Sequence, residues 1–193
     1  MNETLKLGLI LLLITSISAV VLGFSNNVTS VKIAEADKIA NDNARKEVLP
    51  IANEFEALDE NTFNDIVSSN QDVLEIYIGK DEGGNVVGYT IKTISGGFGG
   101  DIEIMTGISN EDKITGMKVL NHSETPGLGA KSTTPEFQDR FKDKSIENEL
   151  VVVKGVSSQD AEVEAITGAT ITSNAVTSGV NMAIKVYNDK LSK

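Results

Sequence analysis

The sequence predicts an α+β domain with a mainly antiparallel sheet and packed helices, preceded by one N-terminal transmembrane helix. Two observations support this prediction. Residues 7–24 form a long uncharged run, and short segments between residues 73 and 153 alternate between apolar and polar side chains. A period of two residues is typical of half-buried strands. Strands joined by tight turns and followed by helices indicate an antiparallel α+β domain.

The uncharged run is long enough to cross a membrane. At about 1.5 Å per residue its 18 residues span roughly 27 Å, close to the hydrocarbon thickness of a bilayer. A cleaved signal peptide is the alternative, but the run exceeds a usual signal core. We therefore expect an anchor in the lipid bilayer. Lys6 is the only basic residue before the run, which predicts a cytoplasmic N-terminus and a domain on the outer face of the cell membrane.

The segment after the anchor predicts helix. Residues 25–30 read as a polar link, and residues 31–48 have an amphipathic helical pattern that Pro50 interrupts. A less regular helical stretch continues to about Leu58. This region fits either a stalk or a helix packed on the sheet. The predicted domains are an anchor at 1–25, a helical stalk or packing helix at 26–60, and a ligand-binding domain at 61–193.

Alternation and turn residues define the remaining elements. Strands are predicted over residues 73–78, 86–94, 101–107, 113–120 and 150–153. Helices are predicted over 135–142 and from about 173 to 191, where apolar residues repeat at spacings of three and four.

Composition narrows the chemistry. The formal net charge is −11, so binding to nucleic acid is not expected. The chain has no cysteine and one histidine, which excludes disulfides and disfavours iron–sulfur, haem and zinc sites. We predict no metal ligands and no catalytic residues. If this protein transfers electrons, an organic cofactor has to carry them.

The most informative motif lies just before the closing helix. Residues 164–173 read Glu-Ala-Ile-Thr-Gly-Ala-Thr-Ile-Thr-Ser, which places four hydroxyl groups ahead of the predicted helix start. A helix N-terminus offers unpaired N–H groups and a positive dipole end, so it is suited to a phosphate. Helix capping by Ser or Thr is the simpler alternative. The string from Thr167 to Ser173 is more specific than a cap requires.

A second motif follows the strand that ends near residue 120. Residues 121–131 read Asn-His-Ser-Glu-Thr-Pro-Gly-Leu-Gly-Ala-Lys. Pro126-Gly127 predicts a tight turn, and Gly129 allows the backbone to approach a ligand closely. A plain Pro-Gly turn is the alternative, but it does not explain the whole string from Glu124 to Gly129.

Both motifs, in this order, resemble the FMN-binding subunits of two related respiratory complexes. These are the G subunit of the Rnf ferredoxin:NAD oxidoreductase and the C subunit of the sodium-pumping NADH:quinone oxidoreductase; the short chain favours the former. The resemblance implies that residues 61–193 are an FMN-binding domain. It also implies that Thr170 carries FMN covalently through a phosphoester bond, which a separate flavin transferase forms with FAD as donor. The family usually has Asp at Glu164 and often Ser at Thr167.

The resemblance assigns expected roles to the site residues. Glu124, Thr125 and Leu128 would line the flavin ring, and Thr172 and Ser173 would hold the phosphate and cap the helix. Glu164 and the Thr167 turn would be recognised by the transferase. Phe98, in a glycine-rich turn, and Lys154, at a strand end, are weaker candidates, because such turns and lysines usually have structural or solvated roles. The cofactor-binding residues are Thr170, Glu124, Thr125, Leu128, Gly129, Lys154, Thr167, Gly168, Ala169, Ile171, Thr172 and Ser173.

The function that the resemblance implies is electron transfer within a membrane-bound, ion-translocating ferredoxin:NAD oxidoreductase. The partners would be the other subunits of that complex and, during maturation, the flavin transferase. The chain would be one redox component and not a complete enzyme. Three alternatives stay open: the C subunit of the quinone reductase, a free-standing extracellular electron-transfer flavoprotein, and a non-redox anchored binding domain.

Overall fold

The computed structural model describes residues 2–192, and these divide into two units at Asn41 and Asp42. Helix α1 runs over Glu3–Val48 and contributes to both units. In the first unit it contains a fully exposed window with a mean hydropathy of 2.6, long and apolar enough to cross a membrane. The polar link expected at 25–30 was wrong, because these residues are helical. The helix propensities of Ser, Asn and Thr are only weak preferences.

The second unit is built on a five-stranded antiparallel sheet whose strands follow chain order, which confirms the predicted fold class. Its strands are β1 (Glu54–Ala57), β2 (Val73–Lys80), β3 (Val86–Gly96), β4 (Asp101–Ser109) and β5 (Lys113–Asn121). The helical stretch expected before Leu58 was wrong, because β1 occupies it and pairs with β2. Helix α2 (Glu60–Ser69) follows, and its N-cap Asp59 accepts a hydrogen bond from the Thr62 amide at 3.0 Å.

The remaining elements follow the sheet in the chain and end with the closing helix. A single helix was expected over residues 135–142. The structure has the short helix α3 (Pro135–Gln138), flanked by two 3₁₀ turns at Gly129–Thr133 and Asp139–Phe141. Strands β6 (Val151–Val153) and β7 (Glu162–Glu164) form a separate parallel pair. Helix α4 covers Thr170–Val186 and continues into a π-helical turn over Tyr187–Leu191. Because α4 begins three residues earlier than expected, Thr170 lies in its first turn.

The sheet carries helices on both faces. On one face α4 packs against β3 and β4, and the Thr93 hydroxyl donates to the Gly179 carbonyl at 3.0 Å. On the other face Ala44 and Val48 of α1 pack against Met105. Within the second unit, the end of α1 is therefore a helix packed on the sheet.

Candidate cofactor site

A tight turn directs the chain into α4. Gly168 has a φ of +79°, a left-handed conformation that favours glycine. The Ser173 hydroxyl accepts from the Ile166 amide at 2.9 Å and donates to the Ala169 carbonyl at 3.0 Å. The N-cap is Ala169, without a side-chain hydrogen bond, so the expected capping by Thr172 and Ser173 was wrong. Ser173 stabilises the turn from within the helix instead.

The first turn of α4 presents unpaired donors. Within residues 2–192, the amides of Thr170, Ile171 and Thr172 have no hydrogen-bond partner, whereas the Ser173 amide bonds the Ala169 carbonyl. These donors coincide with the positive end of a helix of 17 residues. This turn is therefore suited to a phosphate group.

The two sequence motifs meet at a cleft of about 370 Å³ in front of this helix end. The cleft is lined by Phe98, Glu124, Thr125, Leu128, Gly129, Gly168, Ala169, Thr170, Ile171 and Thr172. Three of these are large apolar side chains with exposed fractions of 69% for Phe98, 45% for Leu128 and 56% for Ile171. The volume is within the range of small-molecule and cofactor pockets. Apolar side chains beside a helix N-terminus fit a ligand that joins a flat aromatic ring to a phosphate.

One buried carboxylate lies in the wall of the cleft. Glu124 is 5% exposed, and its Oε1 accepts from the amides of Phe98 at 2.8 Å and Gly99 at 2.9 Å. Its Oε2 accepts from the Thr172 hydroxyl at 2.6 Å. Burial raises the pKa of the Glu124 carboxyl, but the hydrogen bonds from Thr172, Gly99 and Phe98 outweigh it and hold the pKa below its usual range. His122 anchors the loop, since its Nδ1 accepts from the Glu124 amide at 3.1 Å.

Three of the expected residues lie outside the lining of the cleft. Ser173 is fully buried beneath the turn, and Lys154 is exposed after β6. Thr167 is exposed and lines a separate depression of about 290 Å³ together with Arg140. The structure brings the other nine together at one site: Thr170, Glu124, Thr125, Leu128, Gly129, Gly168, Ala169, Ile171 and Thr172.

Arg140 supports the motif turn and was missed by the sequence analysis. Its Nη1 donates to the Glu164 carbonyl at 2.7 Å, and its guanidinium lies 5.5 Å from the centroid of the Phe137 ring. The contact therefore fixes the backbone just before the turn at Thr167. No signal in the sequence marks this arginine, because its partner is a main-chain oxygen 24 residues away.

The cleft, with its apolar lining beside a helix N-terminus, defines this part of the chain as a candidate cofactor-binding domain. Residues 97–185 match the model of a family described as the FMN-binding domain, and this range contains both motifs.

The chain belongs to the family of the G subunits of ion-translocating oxidoreductase complexes. It is 47% identical, over 95% of this chain and 91% of the relative, to the G subunit of the Na⁺-translocating ferredoxin:NAD⁺ oxidoreductase complex of Acetobacterium woodii. It is 35% identical to the G subunit of the ion-translocating oxidoreductase complex of Methanosarcina acetivorans, over 95% of this chain and 94% of that one.

A solved structure has a similar fold. The C subunit of the Na⁺-translocating NADH-quinone reductase from Parabacteroides distasonis aligns with a TM-score of 0.60 and 22% identity, covering 82% of this chain and 96% of that chain. At this identity the likeness shows the fold alone.

Proposed function

We propose that this protein is a membrane-anchored electron-transfer subunit of an ion-translocating ferredoxin:NAD⁺ oxidoreductase complex, with FMN bound in the cleft beside α4. Membership of the G-subunit family, the matched FMN-binding domain and the apolar helix within α1 support this proposal. FMN supplies the redox chemistry when it is bound, while the protein sets its orientation and electrostatic surroundings. The other subunits of the complex would donate and accept the electrons and couple their flow to ion movement.

We further propose that the flavin is attached to Thr170, and one observation carries this assignment. Among the four hydroxyls of the motif, only that of Thr170 both lines the cleft and has no hydrogen-bond partner within residues 2–192. The Thr172 hydroxyl donates to Glu124, and the Ser173 hydroxyl both donates and accepts within the turn. Thr167 faces the separate depression. Thr170 is therefore the hydroxyl best placed to react.

The proposed attachment is a group transfer from FAD by a separate flavin transferase. Oγ1 of Thr170 forms a bond to the phosphorus of the FMN moiety, and the pyrophosphate bond of FAD breaks. AMP leaves, and the hydroxyl proton passes to a base of the transferase. The unpaired amides of Thr170, Ile171 and Thr172 are suited to hold the phosphate oxygens of the ester.

In-gel fluorescence of the denatured protein tests the proposal, because only a covalent flavin survives denaturation. After coexpression with a flavin transferase, the native chain and Thr170→Ser should be fluorescent, since both keep a hydroxyl at the proposed position. Thr170→Ala should be dark. Thr133→Ala, at an exposed threonine outside the cleft lining, is the matched control and should stay labelled. An unlabelled native chain would contradict covalent attachment, and a labelled Thr170→Ala with a dark Thr172→Ala would move the site by two residues.

A further inference from the structure

Glu124 joins three segments that are far apart in the sequence. Its Oε1 accepts from the backbone of the turn between β3 and β4, at Phe98 and Gly99, and its Oε2 accepts from Thr172 in the first turn of α4. Glu124 itself lies in the loop after β5. Each of these three segments contributes to the lining of the cleft. One carboxylate therefore ties together the walls of the proposed flavin site.

The surrounding backbone makes room for this carboxylate. A Cβ atom added to Gly97 or Gly129 would collide with a carboxylate oxygen of Glu124. At Gly129 it would also lie 2.6 Å from Oγ1 of Thr172. The absence of side chains at these two positions lets both oxygens reach their donors while Glu124 stays 5% exposed. The backbone at Gly97 and Gly129 thus leaves space for the Glu124 carboxylate in the wall of the cleft.

We propose that Glu124 is a positioning residue that holds the three walls of the cleft together and places a fixed negative charge beside the flavin, which lowers its reduction potential. Thr172 acts through Glu124, because its hydroxyl is committed to the carboxylate at 2.6 Å. The positioning role concerns the protein alone. The electrostatic role rests on the proposed function, since it requires FMN in the cleft.

The two roles are separable because glutamine can keep the hydrogen bonds without the charge. In Glu124→Gln, the amide oxygen can accept from Phe98 and Gly99 while the amide nitrogen donates to the Thr172 oxygen. In Glu124→Ala, both the charge and the connection are lost. A negative charge opposes the addition of electrons to a nearby group. Loss of the Glu124 charge should therefore make the flavin easier to reduce, whereas loss of the hydrogen bonds alone should not.

Amide hydrogen exchange of the flavin-free protein tests the positioning role. The Phe98 and Gly99 amides should exchange at least about tenfold faster in Glu124→Ala, and within about threefold of the native rate in Glu124→Gln. The Gly84 amide, bonded to the Asp81 carbonyl in the turn between β2 and β3, is the internal control and should not change. Unchanged exchange at Phe98 and Gly99 in Glu124→Ala would overturn the positioning role.

Thr172 variants keep the test decisive if Glu124→Ala does not fold. Thr172→Val removes the hydroxyl at similar size, and Thr172→Ser retains it. We expect about threefold faster exchange at Phe98 and Gly99 in Thr172→Val and native rates in Thr172→Ser. Equal rates in both variants would overturn the role of the hydroxyl.

Redox titration of the flavin-loaded protein tests the electrostatic role. In Glu124→Gln the equilibrium constant for two-electron reduction should increase about tenfold, which corresponds to about 30 mV. Thr172→Ser should titrate like the native protein. An unchanged potential in Glu124→Gln would overturn the electrostatic role. A native chain that binds no flavin would instead contradict the proposed function, and the exchange result would remain valid.

Discussion

The nearly buried Glu124 carboxyl stays ionised because its hydrogen-bond donors compensate for the loss of water. Burial alone would raise the pKa of this carboxyl, yet the Thr172 hydroxyl and two amides at Phe98 and Gly99 favour the charged form. At the residue scale, the charge and the shape of the cleft therefore depend on the same contacts.

The lowered pKa of Glu124 predicts a pH dependence of stability. The unfolded chain has the ordinary pKa of 4.5 and binds a proton more readily than the folded one, so acid favours unfolding. The contribution of Glu124 is complete above about pH 4.5 and is lost as the pH falls through the lower folded-state pKa. Urea unfolding should therefore show that the free energy of unfolding of the native protein, relative to that of Glu124→Gln, decreases as the pH is lowered.

The comparison with Glu124→Gln isolates this carboxyl. Asp59, Asp81 and Glu162 also have lowered pKa values from hydrogen bonds, but both proteins contain them. Their effects cancel in the difference between the two unfolding free energies. A difference that stays constant from about pH 7 to about pH 3 would contradict the assigned ionisation.

At the element scale, an ionic contact attaches the end of α1 to the sheet. The Arg45 guanidinium pairs with Asp42 and Glu75, and its centre lies 3.6 Å from the centroid of the Tyr77 ring. The Arg45 side chain is 5% exposed, whereas both acidic partners are partly hydrated. The arginine therefore contributes packing as well as charge.

Replacing Arg45 should destabilise the second unit. Arg45→Ala removes both ion pairs and the stacking on Tyr77, so we expect a loss of about 2 kcal/mol in the free energy of unfolding. Glu47→Gln, which removes an exposed pair with Lys118 on the same helix end, should cost less than about 1 kcal/mol. Urea denaturation of the three proteins measures both values. Equal stability of the two variants would show that α1 does not depend on Arg45.

The elements that could not be predicted from the sequence are short and depend on contacts with other parts of the fold. Strand β1 has four residues and exists through its pairing with Tyr77–Lys80 at the edge of the sheet. The helix over Glu60–Ser69 has an amphipathic pattern but only one buried residue, Ile66. Strands β2 to β5 were predicted within a few residues, because apolar and polar side chains largely alternate along them and turn residues separate them, although β4 is buried on both faces.

At the scale of the whole molecule, Lys6 predicts a cytoplasmic N-terminus, which would put the second unit on the outer face of the cell membrane. The chain has no cysteine, so a single introduced cysteine reports the side of the membrane on which it lies. Glu82→Cys, in the exposed turn between β2 and β3, should react with an impermeant maleimide on intact cells. Asn2→Cys, before the apolar window, should react only after permeabilisation.

The reverse labelling pattern would contradict the orientation predicted from the sequence. Labelling of both cysteines in intact cells would indicate damaged membranes, so a cytoplasmic marker protein has to remain unlabelled. Recovery of Glu82→Cys in a chain that lacks its first residues would instead support a cleaved signal peptide. N-terminal sequencing of the purified protein distinguishes that outcome.

Some features of this protein could be predicted because local pattern and composition encode them. These are the apolar span, the strands of the sheet, the closing helix and the two motifs. Periodicity and motif spacing are properties of neighbouring residues, so they are readable before folding. The domain limits expected at residues 25 and 60 remain predictions. The structure instead divides into two units between Asn41 and Asp42.

The availability of the polar groups at the site could not be predicted, because it depends on contacts between distant segments of the folded chain. Glu124 accepts hydrogen bonds from Phe98 and Thr172, which are 26 and 48 residues away in the sequence. The Thr172 hydroxyl is therefore engaged, whereas the Thr170 hydroxyl has no hydrogen-bond partner within residues 2–192. Hydrogen bonds between distant segments form only after the sheet and α4 bring those segments together. Four similar hydroxyls in one motif thus acquire different environments, because each points toward a different part of the folded chain.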